Sequence, residues 1–178
     1  MDPSIYYNDR YITINKNGNE YTINHEHTHL DDQAQLNADK LIALNRRNPY
    51  IEERIKETEG HIKRIKNENP DSVINQKGYS LGGTVAIKSL SNKYINNNTK
   101  AVNVKNPGTN PLINYFADIN TKKQIGKINI TKTNGDLISS GFAPGKVKMI
   151  EPTIKIPSAG SSFISKGVIS VFQTYLSH

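Results

Sequence analysis

Gly78-Tyr79-Ser80-Leu81-Gly82, extended by Gly83, is the stretch of this sequence whose residue types and spacing point to a definite reaction. A serine at the apex of a strand-turn-helix corner is held in a strained backbone conformation. Its neighbours two positions away on either side must then be small, a need that Gly78 and Gly82 meet. Gly83 and Ala86 let the following helix approach the sheet. Such a corner aims the Ser80 hydroxyl outward and sets it at a helix N-terminus, where backbone N–H groups stabilise an anion. The implied chemistry is acyl transfer with Ser80 as nucleophile. The bland alternative is a glycine-rich turn, and Gln76-Lys77 is more polar than a buried central strand calls for.

The elements that must position this corner are readable from periodicity. Tyr11–Asn15 and Tyr21–His29 alternate polar and apolar residues around Asn17-Gly18-Asn19, a hairpin pattern. From Asp31 the period becomes helical, with Ala34, Ala38, Leu41 and Leu44 on one face and Asp31 and Asp32 placed to cap it. Ile51, Ile55, Thr58, Ile62 and Ile65 mark a second helix with Glu52/Lys56 and Glu59/Lys63 pairs outside, stopped at Asn69-Pro70. A strand over 72–76, a turn over 77–83 and a helix over 81–95 follow. Next come a strand over 101–105, a helix over 112–119, and a strand holding Ile125, Ile128 and Ile130 before Asn134-Gly135-Asp136. An extended segment is expected over 147–156, and 167–176 fits strand or helix equally. Strands alternating with helices argue for an α/β sheet with parallel pairing, in one domain over residues 1–178.

Gly-Tyr-Ser-Leu-Gly-Gly-Thr-Val-Ala resembles the nucleophile elbow of class 3 (fungal-type) lipases, which have the α/β-hydrolase fold. The resemblance extends, in order and spacing, over roughly residues 50–140. It implies a small three-layer sandwich with a mostly parallel central sheet. It also implies a triad in the chain order Ser, acid, His. Of the downstream acids Asp118, Asp136 and Glu151, Asp136 follows a strand where the family places its acid. Histidines stand at 25, 27, 29, 61 and 178, so that order leaves His178 as the base, although it is the last residue. The family's oxyanion loop is an Arg-Gly-Thr or Arg-Gly-Ser segment. Here that place holds His25-Glu26-His27-Thr28-His29, which keeps the Thr and lacks the Arg and Gly. By resemblance, the Leu81 amide and Thr28 form the oxyanion hole. The expectation is a serine esterase or lipase acting on a lipid or small ester without metal or organic cofactor. Its rival is a non-catalytic descendant of the fold within a larger, for instance viral, assembly.

Two other chemistries compete. His25, His27 and His29 share one face if extended, and with Asp31 or Asp32 would suit a zinc-like ion; the bland reading, a polar strand end, is preferred, so no metal is expected. Arg46, Arg47, Arg54, Lys56, Lys63, Arg64 and Lys66 are diluted by Glu52, Glu53, Glu57 and Glu59, so no nucleic acid partner is expected. Attraction to an anionic membrane surface suits a lipid hydrolase better. The 178 residues carry 23 Lys plus Arg against 16 Asp plus Glu, a formal charge of +7. Asn, Ile and Lys are written with A and T, so their abundance points to an A/T-rich genome rather than to a task. The absence of cysteine excludes a disulfide scaffold, Cys-ligated zinc and thiol catalysis. No apolar run reaches the roughly 18 residues of a membrane span, and no signal sequence opens the chain. The expected location is cytoplasmic or virion-associated.

Overall fold

A computed structural model describes residues 4–29, 31–43, 46–109, 115–136 and 141–151. Seven strands form one sheet in sequential order: β1 (Ser4–Asn8), β2 (Ile12–Asn17), β3 (Glu20–His25), β4 (Val73–Tyr79), β5 (Thr99–Lys105), β6 (Ile128–Thr133) and β7 (Lys146–Ile150). β1, β2 and β3 pair antiparallel, and β3 through β7 run parallel. The α/β class and the mostly parallel central sheet expected from the sequence are both observed.

Helices α1 (Gln33–Ala43) and α2 (Pro49–Glu68) join β3 to β4. Helices α3 (Leu81–Ser89) and α4 (Lys93–Asn98) join β4 to β5, and α5 (Lys122–Ile125) precedes β6. Crossovers between parallel strands are right-handed, so a strand order that never reverses sends every crossover helix to the same face. The core follows. Ile12, Ile14, Ile23, Ile74, Val102, Val104, Ile128 and Ile130 alternate toward that face and meet Ile42, Ile51, Ile62, Ile65, Val85, Leu90 and Ile95 of the helices. Residues of opposite phase, such as Asn24, Lys77, Asn103 and Asn129, form a polar face that no described helix covers. The described residues thus supply two of the three layers implied by the resemblance.

Local chemistry accounts for the boundaries. The Asp32 carboxylate accepts from the Ala34 and Gln35 amides at 2.9 and 3.3 Å and caps α1, while Asp31 pairs with Arg10 instead. The inward face of α1 is Gln35, Ala38 and Ile42, one residue around from the expected stripe, with Ala34 exposed and Leu44 outside the described residues. Asn48 caps α2, whose buried stripe is the expected Ile51, Thr58, Ile62 and Ile65 plus Arg54. Glu59 pairs with Lys63 at 2.6 Å as expected, whereas Glu52 takes Arg47 rather than Lys56.

The single helix expected over 81–95 is two. Asn92 accepts from the Tyr94 and Ile95 amides at 2.9 and 3.1 Å, so a new N-terminus starts where the apolar pattern alone runs on. Asn92→Ala is expected to lower the unfolding free energy by about 1 kcal/mol in urea denaturation, the usual loss for such a cap. Ile125 lies in α5 rather than in β6, because Thr121 and Gln124 build a capping box around it. β1 escaped sequence analysis; its bulge between Ile5 and Tyr7 breaks the alternation that would reveal it. Residues 115–118 form turns rather than helix, 110–114 lie outside the described residues, and so does the expected element over 167–176. No described helix is long and apolar enough to cross a membrane.

Candidate active site

β4 runs into α3 at Ser80, which has φ 51° and ψ −123°. That conformation is one that residues with a side chain rarely adopt. It is held on three sides. The Ser80 amide donates to the Lys105 carbonyl at 3.1 Å, and the Ser80 carbonyl accepts from the Thr84 amide at 3.1 Å. The flanking glycines close the turn. A Cβ on Gly78 would stand 2.6 Å from the Gly83 nitrogen, and one on Gly82 would stand 2.7 Å from the His25 carbonyl carbon. Both approaches are to backbone, which cannot swing aside, so the G-x-S-x-G spacing is a steric requirement of this corner. Gly83 is less constrained: a Cβ there would meet Pro107 at an ordinary 3.4 Å.

Ser80 is half-buried, and its side chain does not cap the helix it begins. The hydroxyl is therefore not spent on local structure. Leu81 is the first residue of α3, and its N–H, like others of the first turn, lacks an intrahelical acceptor. A tetrahedral oxyanion formed on Ser80 would find that donor and the positive end of α3.

The segment after β3 reaches the corner, since the His25 and Glu26 carbonyls are the atoms that crowd Gly82. Thr28 in this segment is half-buried, and its hydroxyl donates to Asp39 of α1 at 2.8 Å. Its proton is engaged there, which leaves the Thr28 backbone N–H as the donor this segment could offer. Burial pushes the Asp39 carboxyl up to about 6, against the Thr28 hydrogen bond, which lowers it. Sequence analysis missed Asp39; helical periodicity alone ranks it with the other polar positions of α1, and only the path of the preceding loop makes it a partner of Thr28.

Asp136 follows β6 directly, its amide donating to the Thr133 carbonyl at 3.2 Å. It lies off the same C-terminal edge of the sheet as Ser80, two strands along, where strand spacing sets β4 and β6 about 10 Å apart. Of the other downstream acids, Asp118 pairs with Lys88 at 2.7 Å, and Glu151 accepts from Asn134 at 2.6 Å. His178, the expected base, lies outside the described residues.

The histidine triplet is not one face. β3 ends at His25, which is buried and donates from Nε2 to Gln76 Oε1 at 2.9 Å. Burial pushes its pKa down to about 4; Arg54 and His61 lower it further, and Gln76 opposes them. His25 is therefore neutral near pH 7. His27 is exposed and lies 5.3 Å from the His29 ring and 6.1 Å from the Tyr79 ring, centroid to centroid. No group of His, Asp and Glu among the described residues has metal-binding geometry. The polarity of Gln76 also has a reason. Its amide accepts from His25 and from Ser89 at 3.1 Å and donates to Thr99 at 3.0 Å, joining β3, β4, β5 and α3 directly beneath the corner.

No family model matches this chain, and no curated protein matches it. Among solved structures, one of YahD with malic acid is similar at a TM-score of 0.39 and 14% identity, over 67% of this chain and 63% of that one. The match therefore spans less than two thirds of that protein's length.

Proposed function

We propose that the protein is a serine hydrolase of carboxylic esters, lipid esters among them, with Ser80 as nucleophile. One observation carries the reading: Ser80 is held at positive φ between two glycines that admit no Cβ. Such strain persists only where the surroundings enforce it, and it concentrates at sites that use it. In the proposed reaction His178 removes the Ser80 proton as the oxygen attacks the ester carbonyl. Asp136 fixes the imidazole tautomer and stabilises the imidazolium. The Leu81 amide, with the Thr28 amide, receives the oxyanion. His178 then protonates the leaving alcohol, and water hydrolyses the acyl-enzyme.

A fluorophosphonate probe tests this directly. Wild type is expected to be labelled and Ser80→Ala to be blank, while His178→Ala slows labelling by a factor on the order of 10^4. Absence of labelling in folded wild-type protein would establish the second reading, a non-catalytic scaffold serving in a larger assembly. The engagement of the Thr28 hydroxyl by Asp39 favours that alternative, because it withdraws one donor from the oxyanion.

A further inference from the structure

The face of the sheet that no described helix covers carries lysines without acid partners among the described residues, whereas most basic residues of α2 are paired. On α2 and beside it Arg47, Lys63 and Arg64 are paired with Glu52, Glu59 and Glu68, and Arg54 is buried against Glu57. The opposite face is different. Parallel register aligns Asn24, Lys77, Asn103, Asn129 and Lys146 in one row across β3 to β7. Two residues further along, Tyr79, Lys105, Thr131 and Lys148 form a second row. All four lysines are exposed, and none pairs with an acid among the described residues. The acid in phase with them, Glu20, sits at the far end of β3 and is bonded by Asn75. Between the rows lies an open depression of about 420 Å³ that includes Lys77, Lys105, Asn103 and Asn129.

We propose that this face docks the protein on an anionic lipid surface. Strand spacing makes the first row about 19 Å wide, and the rows lie about 7 Å apart, so the lysines present an array of point charges rather than a single pocket. Asparagine and threonine amides and hydroxyls between them can bond headgroup oxygens. Among the described residues this face holds one aromatic side chain, Tyr79, which is 47% exposed. One ring suits the headgroup level of a membrane, whereas a single-stranded nucleic acid is held by successive stacked bases. The second row also ends at the corner: Tyr79 precedes Ser80, and the Lys105 carbonyl accepts the Ser80 amide. Docking would bring Ser80 to the lipid. The choice of lipid over another polyanion rests on the hydrolase reading.

The test uses full-length Ser80→Ala protein, so that binding is read without turnover, in sedimentation with phosphatidylcholine vesicles with and without phosphatidylserine. Binding is expected only with phosphatidylserine and is expected to weaken with salt. Lys77→Gln/Lys105→Gln and Lys146→Gln/Lys148→Gln are each expected to weaken it roughly 30-fold, about fivefold per lysine. The control Lys122→Gln/Lys123→Gln, on α5, is expected to change it less than about twofold. Equal binding to uncharged vesicles, face variants no worse than the control, or no vesicle binding at all would overturn the proposal. So would capture of a single-stranded oligonucleotide in place of vesicles. Failed probe labelling with vesicle binding intact would remove the hydrolase reading and leave the docking face.

Discussion

Gly82→Ala is expected to lower the unfolding free energy by about 3 kcal/mol, while Ser80→Gly, two residues away, is expected to raise it by about 1 kcal/mol. The first figure follows from where the added methyl would go. It would stand 2.7 Å from the His25 carbonyl carbon, against the backbone of β3, so relief requires moving a strand that is paired on both sides. Gly78→Ala carries a similar cost, because its methyl meets the first turn of α3. The second figure has the opposite sign because the positive φ at Ser80 is strain that glycine does not feel. Strain of this kind costs on the order of 1–3 kcal/mol, and the extra freedom of glycine in the unfolded chain returns part of the gain. Nothing is lost at the helix end, since the Ser80 side chain makes no capping bond. Ser80→Ala keeps the strain and is expected to be close to neutral. Urea denaturation of the four variants decides the matter. A corner in which Gly82→Ala is as stable as wild type, or Ser80→Gly less stable, is not under the stress described here.

This corner is also where sequence and structure agree most closely, because its constraint is local. Two glycines four residues apart around a serine encode a clash that any reader of the chain can compute. The same holds for Asp32 and Asn69-Pro70, whose side chain or ring acts on backbone within a few residues. Asn92 shows the limit. It acts locally too, yet its cap interrupts a stretch whose apolar spacing continues, and the hydrogen bonds to Tyr94 and Ile95 outweigh the pattern.

What pattern could not reach is anything set by sheet order. The placement of all described helices on one face follows from a strand sequence that never turns back, and hydrophobic periodicity does not record strand order. Lys77, Lys105 and the Lys146/Lys148 pair of β7 lie far apart along the chain and come together through parallel register alone. The same is true of the Thr28–Asp39 bond and of the link from His25 to Gln76. Gln76 illustrates the cost of reading polarity one residue at a time. Beside a buried strand it counts against a nucleophile elbow, whereas in the sheet its amide accepts from His25 and Ser89 and donates to Thr99, tying three strands and α3 together.

The two titrating groups beside the corner are expected to hide one another in wild type. His25 is neutral in the fold, its pKa lowered from 6.5 to about 4, chiefly by burial. Its contribution is fully present above about pH 6.5 and is lost as pH falls, because the unfolded chain takes a proton the native site refuses until about pH 4. At 1.36 kcal/mol per unit the loss is about 3 kcal/mol. Asp39 is raised from 3.8 to about 6, again by burial first. Its sign is opposite: the unfolded carboxyl ionises first, so the fold loses about 3 kcal/mol as pH rises from about 4 to 6 and regains it on acidification. Over that interval the two nearly cancel. His25→Gln, which keeps the donor to Gln76, is expected to make the protein more stable as pH falls from 6 to 4. Asp39→Asn, which keeps an acceptor for Thr28, is expected to be more stable than wild type at pH 7 and to lose that advantage by pH 4. Urea denaturation of the three proteins across this range supplies the comparison. Variant curves that stay parallel to wild type would mean that neither group titrates as its burial dictates.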